Sequence, residues 1–226
     1  SGTMVDNLNA LASLKNLETL NLDSTRVTEL TALKSLVSLE LLYVNHTVVG
    51  NLRPLQDLKN LVRVYCDHTP INQTLADAFM TANPEVLVIF DSEDLRGWWD
   101  ALPDAWKDVL SKAAKIQRNP TKEELAKVTN LDSINFATNS NIQDIEPLRK
   151  LQKLQFINAR NTVLKDISPL EEHKEIRVLD ISATQVGNIS ILAQFGKLTE
   201  LRADHTNILD LESLKTAPAI QKIYAD

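Results

Sequence analysis

Leu148, Leu170, Leu192 and Leu214 stand at a fixed step of 22 residues, and that step constrains the fold more than any other feature. Leu154, Ile176, Leu198 and Ile220 follow six residues later in each unit, and Ile157, Leu179, Leu201 and Ile223 follow at nine. Thr162, Thr184 and Thr206 share a further place. An apolar period of about 20–29 residues means a stack of short coils, each packed only on its neighbours.

The same unit runs through the first part of the chain. Leu11, Leu14, Leu17, Leu20, Leu22, Thr25, Val27 and Leu30 make one copy. Leu33 to Leu52 make a second, and Leu55 to Ile71 a third, with Cys66 at an inward place. Val5 and Leu8 read as the tail of a unit whose strand is missing. Around the ninth to thirteenth places apolar and polar residues alternate, as in Glu200-Leu201-Arg202-Ala203-Asp204. Alternation at period two predicts a strand with one buried face. Leucines every third residue predict short helices or 3-10 turns on the return limb. Pro54, Pro147 and Pro169 precede unit-opening leucines, where a fixed φ and a missing N–H do no harm. The recurrent Thr is expected to join neighbouring turns through its hydroxyl.

The third unit closes late. TLADAFMTANPEV has helical character and stops at Asn83-Pro84, before one more strand, Val86–Phe90, apolar on both faces. Residues 91–124 break the period. Asp91-Ser92-Glu93-Asp94 supplies capping residues, and Leu95, Trp98, Trp99, Leu102, Trp106, Val109, Leu110 and Ala113 form one helical apolar face. Pro103 splits that helix, with Leu102 at the boundary. Thr121 and Glu124 form a capping box leading into Leu125. A second array follows, its first unit carrying an extra residue around 139–141. The division expected is therefore 1–90, a first array; 91–124, a helical Trp-bearing insert or cap; and 125–226, a second array. The fold class is α/β: a curved solenoid with a parallel sheet on its concave face.

The 22-residue unit and the tails Ile142-Gln143-Asp144-Ile145-Glu146-Pro147-Leu148 and Leu164-Lys165-Asp166-Ile167-Ser168-Pro169-Leu170 resemble bacterial internalin-type leucine-rich repeats. Trp98–Trp106, followed by Pro120–Leu125, resembles the helical entry of leucine-rich-repeat proteins from gut-type Bacteroidetes. The repeat likeness spans about four-fifths of the chain. It departs from the family in two ways. Thr mostly replaces the turn Asn, and the array is interrupted. The resemblance implies a curved solenoid that binds other macromolecules; it implies neither a catalytic centre nor one particular partner. It also leans toward a secreted or cell-surface bacterial protein whose signal has been removed.

Composition narrows the function. The formal charge of −6 argues against a general nucleic-acid binder, which needs a basic face. No apolar run approaches the roughly 18 residues of a membrane helix, so no membrane insertion is expected. The single cysteine, Cys66, can form neither an internal disulfide nor a cysteine-cluster zinc site, and reads as a small buried hydrophobe. His46, His68 and His205 share the place before the Thr and read as a turn ladder rather than a metal site. No phosphate-cradling glycine loop or nucleophile grouping is visible, so neither enzymatic activity nor a cofactor is expected. The opening Ser1-Gly2 reads as an expression scar.

The outward face of the strands is the surface expected to bind. It carries Ser133, Asn135, Asn158, Val178, Asp180, Ser182 and Glu200 among others. The residues chosen from it as partner-binding are Leu41, Tyr43, Arg63, Tyr65 and Asp67 in the first array. In the second they are Phe156, Arg160, Arg202 and Tyr224. Tyr, Phe and Arg dominate the energetics of protein interfaces. A non-enzymatic protein–protein interaction module is the leading expectation. A binder of cell-surface glycans, with the Trp insert or the Tyr pair as stacking platform, is the second. A regulatory domain of a larger enzyme is the third. The Trp cluster reads first as an end cap. The strand at the end of the chain and the tail at its start together make about one unit. Truncation or end-to-end self-association is therefore expected to cover the exposed repeat edges.

Overall fold

The computed structural model describes residues 3–226; Ser1-Gly2 lies outside the described residues. The chain divides into two compact units, Ser1–Gly97 and Trp98–Asp226.

The first unit holds a four-stranded parallel sheet in sequence order: β1 (Thr19–Asn21), β2 (Leu41–Tyr43), β3 (Arg63–Tyr65) and β4 (Leu87–Ile89). Its core row is Leu20, Leu42, Val64 and Val88, placed side by side by the register. Between β3 and β4 lies α1 (Gln73–Ala82), opened by Asn72 accepting from the Leu75 N–H and ended at Asn83. β4 is shorter than the expected 86–90. It is covered on both sides, with Val86, Val88 and Ile89 buried.

The second unit opens with helices and continues as a five-stranded parallel sheet. α2 (Ser92–Ala101) starts within the first unit and ends in the second, before Leu102-Pro103. α3 (Asp104–Ala114) and α4 (Lys122–Thr129) follow, the latter closed at its start by the Thr121–Glu124 capping box. α3 packs against α4 and against the first strand of the sheet. The strands are β5 (Ser133–Asn135), β6 (Phe156–Asn158), β7 (Val178–Asp180), β8 (Glu200–Arg202) and β9 (Lys222–Tyr224).

The leucine spacing explains the return limbs. Leu33, Leu36 and Leu39 each donate their N–H to the carbonyl of the leucine three places earlier. This is 3-10 geometry, in which every third side chain eclipses the last and all turn to the core. All three leucines are fully buried. Pro54, Pro147 and Pro169 sit at the first or second position of such turns.

The strand-to-limb corner is built by the backbone. Ser24, His46, His68, Asn161, Ala183 and His205 all have φ between 53° and 58°. The N–H groups of Ser24, His46, Asn161, Ala183 and His205 donate across to the next coil, for example His46 to the Asp67 carbonyl at 2.9 Å and Ala183 to Asp204 at 2.7 Å. The Thr expectation is corrected here. The hydroxyls of Thr25, Thr47, Thr69, Thr162, Thr184 and Thr206 donate to carbonyls three residues earlier in their own turn, at 2.6–2.8 Å. Each hydroxyl is held by the tight turn that the left-handed residue before it makes. Successive coils are joined instead by those backbone bonds and by side chains such as Asp23, whose Oδ1 accepts from the Asn45 N–H at 2.7 Å.

His173 stands where Leu151 and Phe195 stand in the flanking coils and is fully buried. Its Nε2 meets the Leu148 carbonyl at 2.9 Å, and its Nδ1 has no partner among the described residues. Burial pushes its pKa down, against the pull of carbonyls of Leu148, Leu170 and Leu151.

Candidate binding face

Because strand side chains alternate, the first and third residues of each strand point away from the core. In the first unit these positions bring Leu41 beside Arg63, and Tyr43 beside Tyr65. The two tyrosine rings stack at 4.4 Å, 2° from parallel. Leu41, Tyr43 and Arg63 are partly exposed, but Tyr65 is buried at 5%. Tyr65 shares its row with Tyr43 on one side and Ile89 on the other. The Asp67 carboxylate accepts from the backbone N–H and the hydroxyl of Ser92, both at 2.9 Å, and so holds the start of α2. His46 and His68 stack at 4.3 Å, and His68 approaches Glu93 at 3.7 Å. Among the described residues no three His, Cys, Asp or Glu side chains could hold a metal ion together.

In the second unit two rows cross the sheet. One is Ser133, Phe156, Val178, Glu200 and Lys222; the other is Asn135, Asn158, Asp180, Arg202 and Tyr224. Over their β5–β8 portion runs a groove of about 440 Å³. Its floor includes Asn135, Phe156, Asn158, Val178, Asp180 and Arg202, and its wall is Val109, Lys112 and Ala113 of α3. Phe156 is 46% exposed. Arg202 pairs with Glu200 at 2.6 Å and lies 5.8 Å from the centre of the Tyr224 ring. That ion pair holds the Glu200 carboxyl below its usual range and raises the Arg202 guanidinium. Lys222 also reaches Glu200, at 3.4 Å.

Of the four residues singled out in this array, Phe156 and Arg202 line the groove and Tyr224 adjoins it through Arg202. Arg160 is exposed beyond the strand end and does not line it. Asp180 and Ser182, read as outward, are buried at 6% and 2%. Val109 and Ala113, read as part of an apolar core face, line the groove instead. Trp99 and Trp106 take the core positions, at 1% and 2% exposed. Trp99 Nε1 donates to the Arg118 carbonyl and Trp106 Nε1 to the Asp144 carbonyl, each at 3.2 Å. With Trp99 buried, Trp98 and Trp99 offer no paired stacking platform.

The 3-10 limbs packed behind short parallel strands, repeated every 22 residues, decide the architecture. These are leucine-rich repeats. No protein-family model matches the sequence, and no curated protein does. Among solved structures, the leucine-rich-repeat chain is similar to an internalin C2 of Listeria monocytogenes. The two share 20% identity, with a TM-score of 0.43, over 100% of this chain and 78% of that one. A leucine-rich-repeat protein of Leptospira interrogans matches at 13% identity and TM-score 0.43, over 96% of this chain and 57% of that one. The functional domain of internalin J from Listeria monocytogenes matches at 16% identity and TM-score 0.38, over 100% and 52%.

Proposed function

We propose that this chain is a non-enzymatic protein–protein interaction module and that it binds its partner on the outward strand face. The observation that carries the reading is the groove of the second unit. A half-exposed Phe156 lies on its floor, beside arginine and amide side chains, and a helix walls one side. Concave sites with an aromatic anchor and a few polar groups are where binding energy concentrates. Leu41, Tyr43 and Arg63 form a second, smaller patch on the first sheet. Tyr65 supports that patch from beneath rather than touching a partner. No helix among the described residues is long and apolar enough to cross a membrane.

The same reading includes self-association along β9, whose Ile223 and Tyr224 are 42% and 46% exposed. Sedimentation of the intact chain tests it. A monomer at all concentrations removes self-association and leaves partner binding standing.

The main test is partner capture with the intact chain, followed by affinity measurement with three variants. Phe156→Ala and Tyr43→Ala each remove a proposed anchor. Gln152→Ala alters a return limb. The expected result is a loss of tenfold or more for at least Phe156→Ala and none for Gln152→Ala. Unchanged affinity with Phe156→Ala and Tyr43→Ala together contradicts the strand face.

A further inference from the structure

The side chains of the groove specify what it can hold. Asn135 Oδ1 accepts from the Ala137 N–H at 3.0 Å, and Asn158 Oδ1 from the Arg160 N–H at 3.1 Å. Each carboxamide is therefore pinned by its oxygen and turns its NH₂ group away from its own backbone. Neither NH₂ has a partner among the described residues, and neither does the Lys112 ammonium. The two amides lie on adjacent strands, paired directly in register. Lys112 and both amides line the one groove, together with Arg202.

Several of the acceptors are already committed. Asp180 Oδ1 takes the Ser182 N–H at 3.0 Å, and its residue is 6% exposed. Glu200 is paired with Arg202 and Lys222. At the α3–β5–β6 end Lys112 is the only charged lining residue among those described. So the α3–β5–β6 end of the groove offers more N–H donors than acceptors, with the Ser133 hydroxyl as its one further polar side chain and the Asp180 carboxylate on the next strand, against a formal charge of −6 for the whole chain. Beside the donors lies apolar surface: Phe156 and Val178, neighbours in register, with Val109 and Ala113 facing them across the groove.

We infer that the groove takes a peptide segment in which an acidic side chain stands next to an aliphatic or aromatic one. This inference rests on the strand-face reading above and names the chemistry of its partner. The carboxylate accepts from Lys112 and from the carboxamides of Asn135 and Asn158. Charge-assisted bonds of this kind are about twice as strong as neutral ones. The apolar side chain packs on Phe156 and Val178. A sugar is a poorer match, because each hydroxyl donates as well as accepts, and donors outnumber acceptors where Lys112, Asn135 and Asn158 meet.

Random dodecapeptides displayed on phage, panned on the intact chain, supply the probe. Enriched peptides are resynthesised and measured by fluorescence anisotropy, together with versions in which every Asp and Glu becomes Asn and Gln. The expected consensus places Asp or Glu beside Leu, Ile or Phe. The amide versions bind at least tenfold more weakly. Lys112→Gln, an exposed substitution, brings acidic and amide versions within threefold of each other. Higher salt weakens the acidic peptides alone.

Peptides that need Phe156 but lack acidic residues, or that bind Lys112→Gln with undiminished preference, overturn the carboxylate and leave the strand face intact. Peptides indifferent to Phe156→Ala overturn both, as does a library that yields no enriched binder. An acidic glycan on an array that binds the chain and is lost in Lys112→Gln, with no acidic peptide bound, assigns the groove to the other class of ligand.

Discussion

Tyr43 and Tyr65 stack at 4.4 Å and 2° from parallel because adjacent strands in register place the same repeat position about 4.8 Å apart. One ring is partly exposed and the other buried at 5%, so the pair divides its work. Tyr65→Ala is expected to cost about 3 kcal/mol or more, as burial of a large aromatic implies. Tyr43→Ala costs about 1 kcal/mol, the scale of the aromatic contact itself. Urea unfolding of the two variants checks the order. Equal costs would mean that Tyr65 is not the supporting member.

His173 makes stability pH-dependent. Its folded pKa is lowered by burial, so the unfolded chain takes up a proton near the ordinary value of 6.5 while the folded chain does not. The stabilisation it gives is fully present above pH 6.5 and is lost as pH falls toward the folded pKa. The slope is at most about 1.4 kcal/mol per pH unit for one proton. Leu151 and Phe195 hold the equivalent places, so His173→Leu suits the site. Wild type should lose stability between pH 6.5 and 5 relative to His173→Leu. Parallel curves would refute the assignment.

Cys66 is 1% exposed, and its thiol is pushed from 9.0 to about 12, by burial first and by Asp67 second. Alkylation needs thiolate. Iodoacetamide at pH 8 is therefore expected to leave the folded protein unmodified and to label it in denaturant. Rapid labelling without denaturant would contradict the burial.

Ala183 adopts φ 53°, where a β carbon is strained. Ala183→Gly is expected to raise stability by up to about 1 kcal/mol, which thermal unfolding can read. The adjacent Thr184 hydroxyl donates to the Ile181 carbonyl at 2.6 Å in a buried site. Thr184→Val, which removes it, should cost about 1–2 kcal/mol. A destabilising Ala183→Gly would show that the left-handed corner is not strained.

The repeat was legible because leucine spacing determines both limbs of each coil: period two on the strand, period three behind it. The helix break at Pro103 and the Thr121–Glu124 cap were legible from local chemistry. The direction of the Thr hydroxyls was not, because it depends on the left-handed residue before each Thr, a place filled by Ser, His, Asn or Ala rather than glycine. His173 went unnoticed because a histidine at one core position does not disturb a pattern carried by seven others. The groove wall was hidden for a different reason. Helical spacing puts Val109 and Ala113 on the same stripe as Trp106 and Leu110, and only packing against β5 shows which of them the core takes up. The lost period at 91–124 was the available signal that a non-repeat helix would stand beside the first strand of the second sheet.

Hydrogen–deuterium exchange of the intact chain, with and without a captured partner, tests the strand-face account most directly. The account predicts protection over 109–113, 133–135, 156–158 and 178–180, with the return limbs Glu146–Lys150 and Ser190–Gln194 unchanged. Protection confined to the return limbs would contradict it.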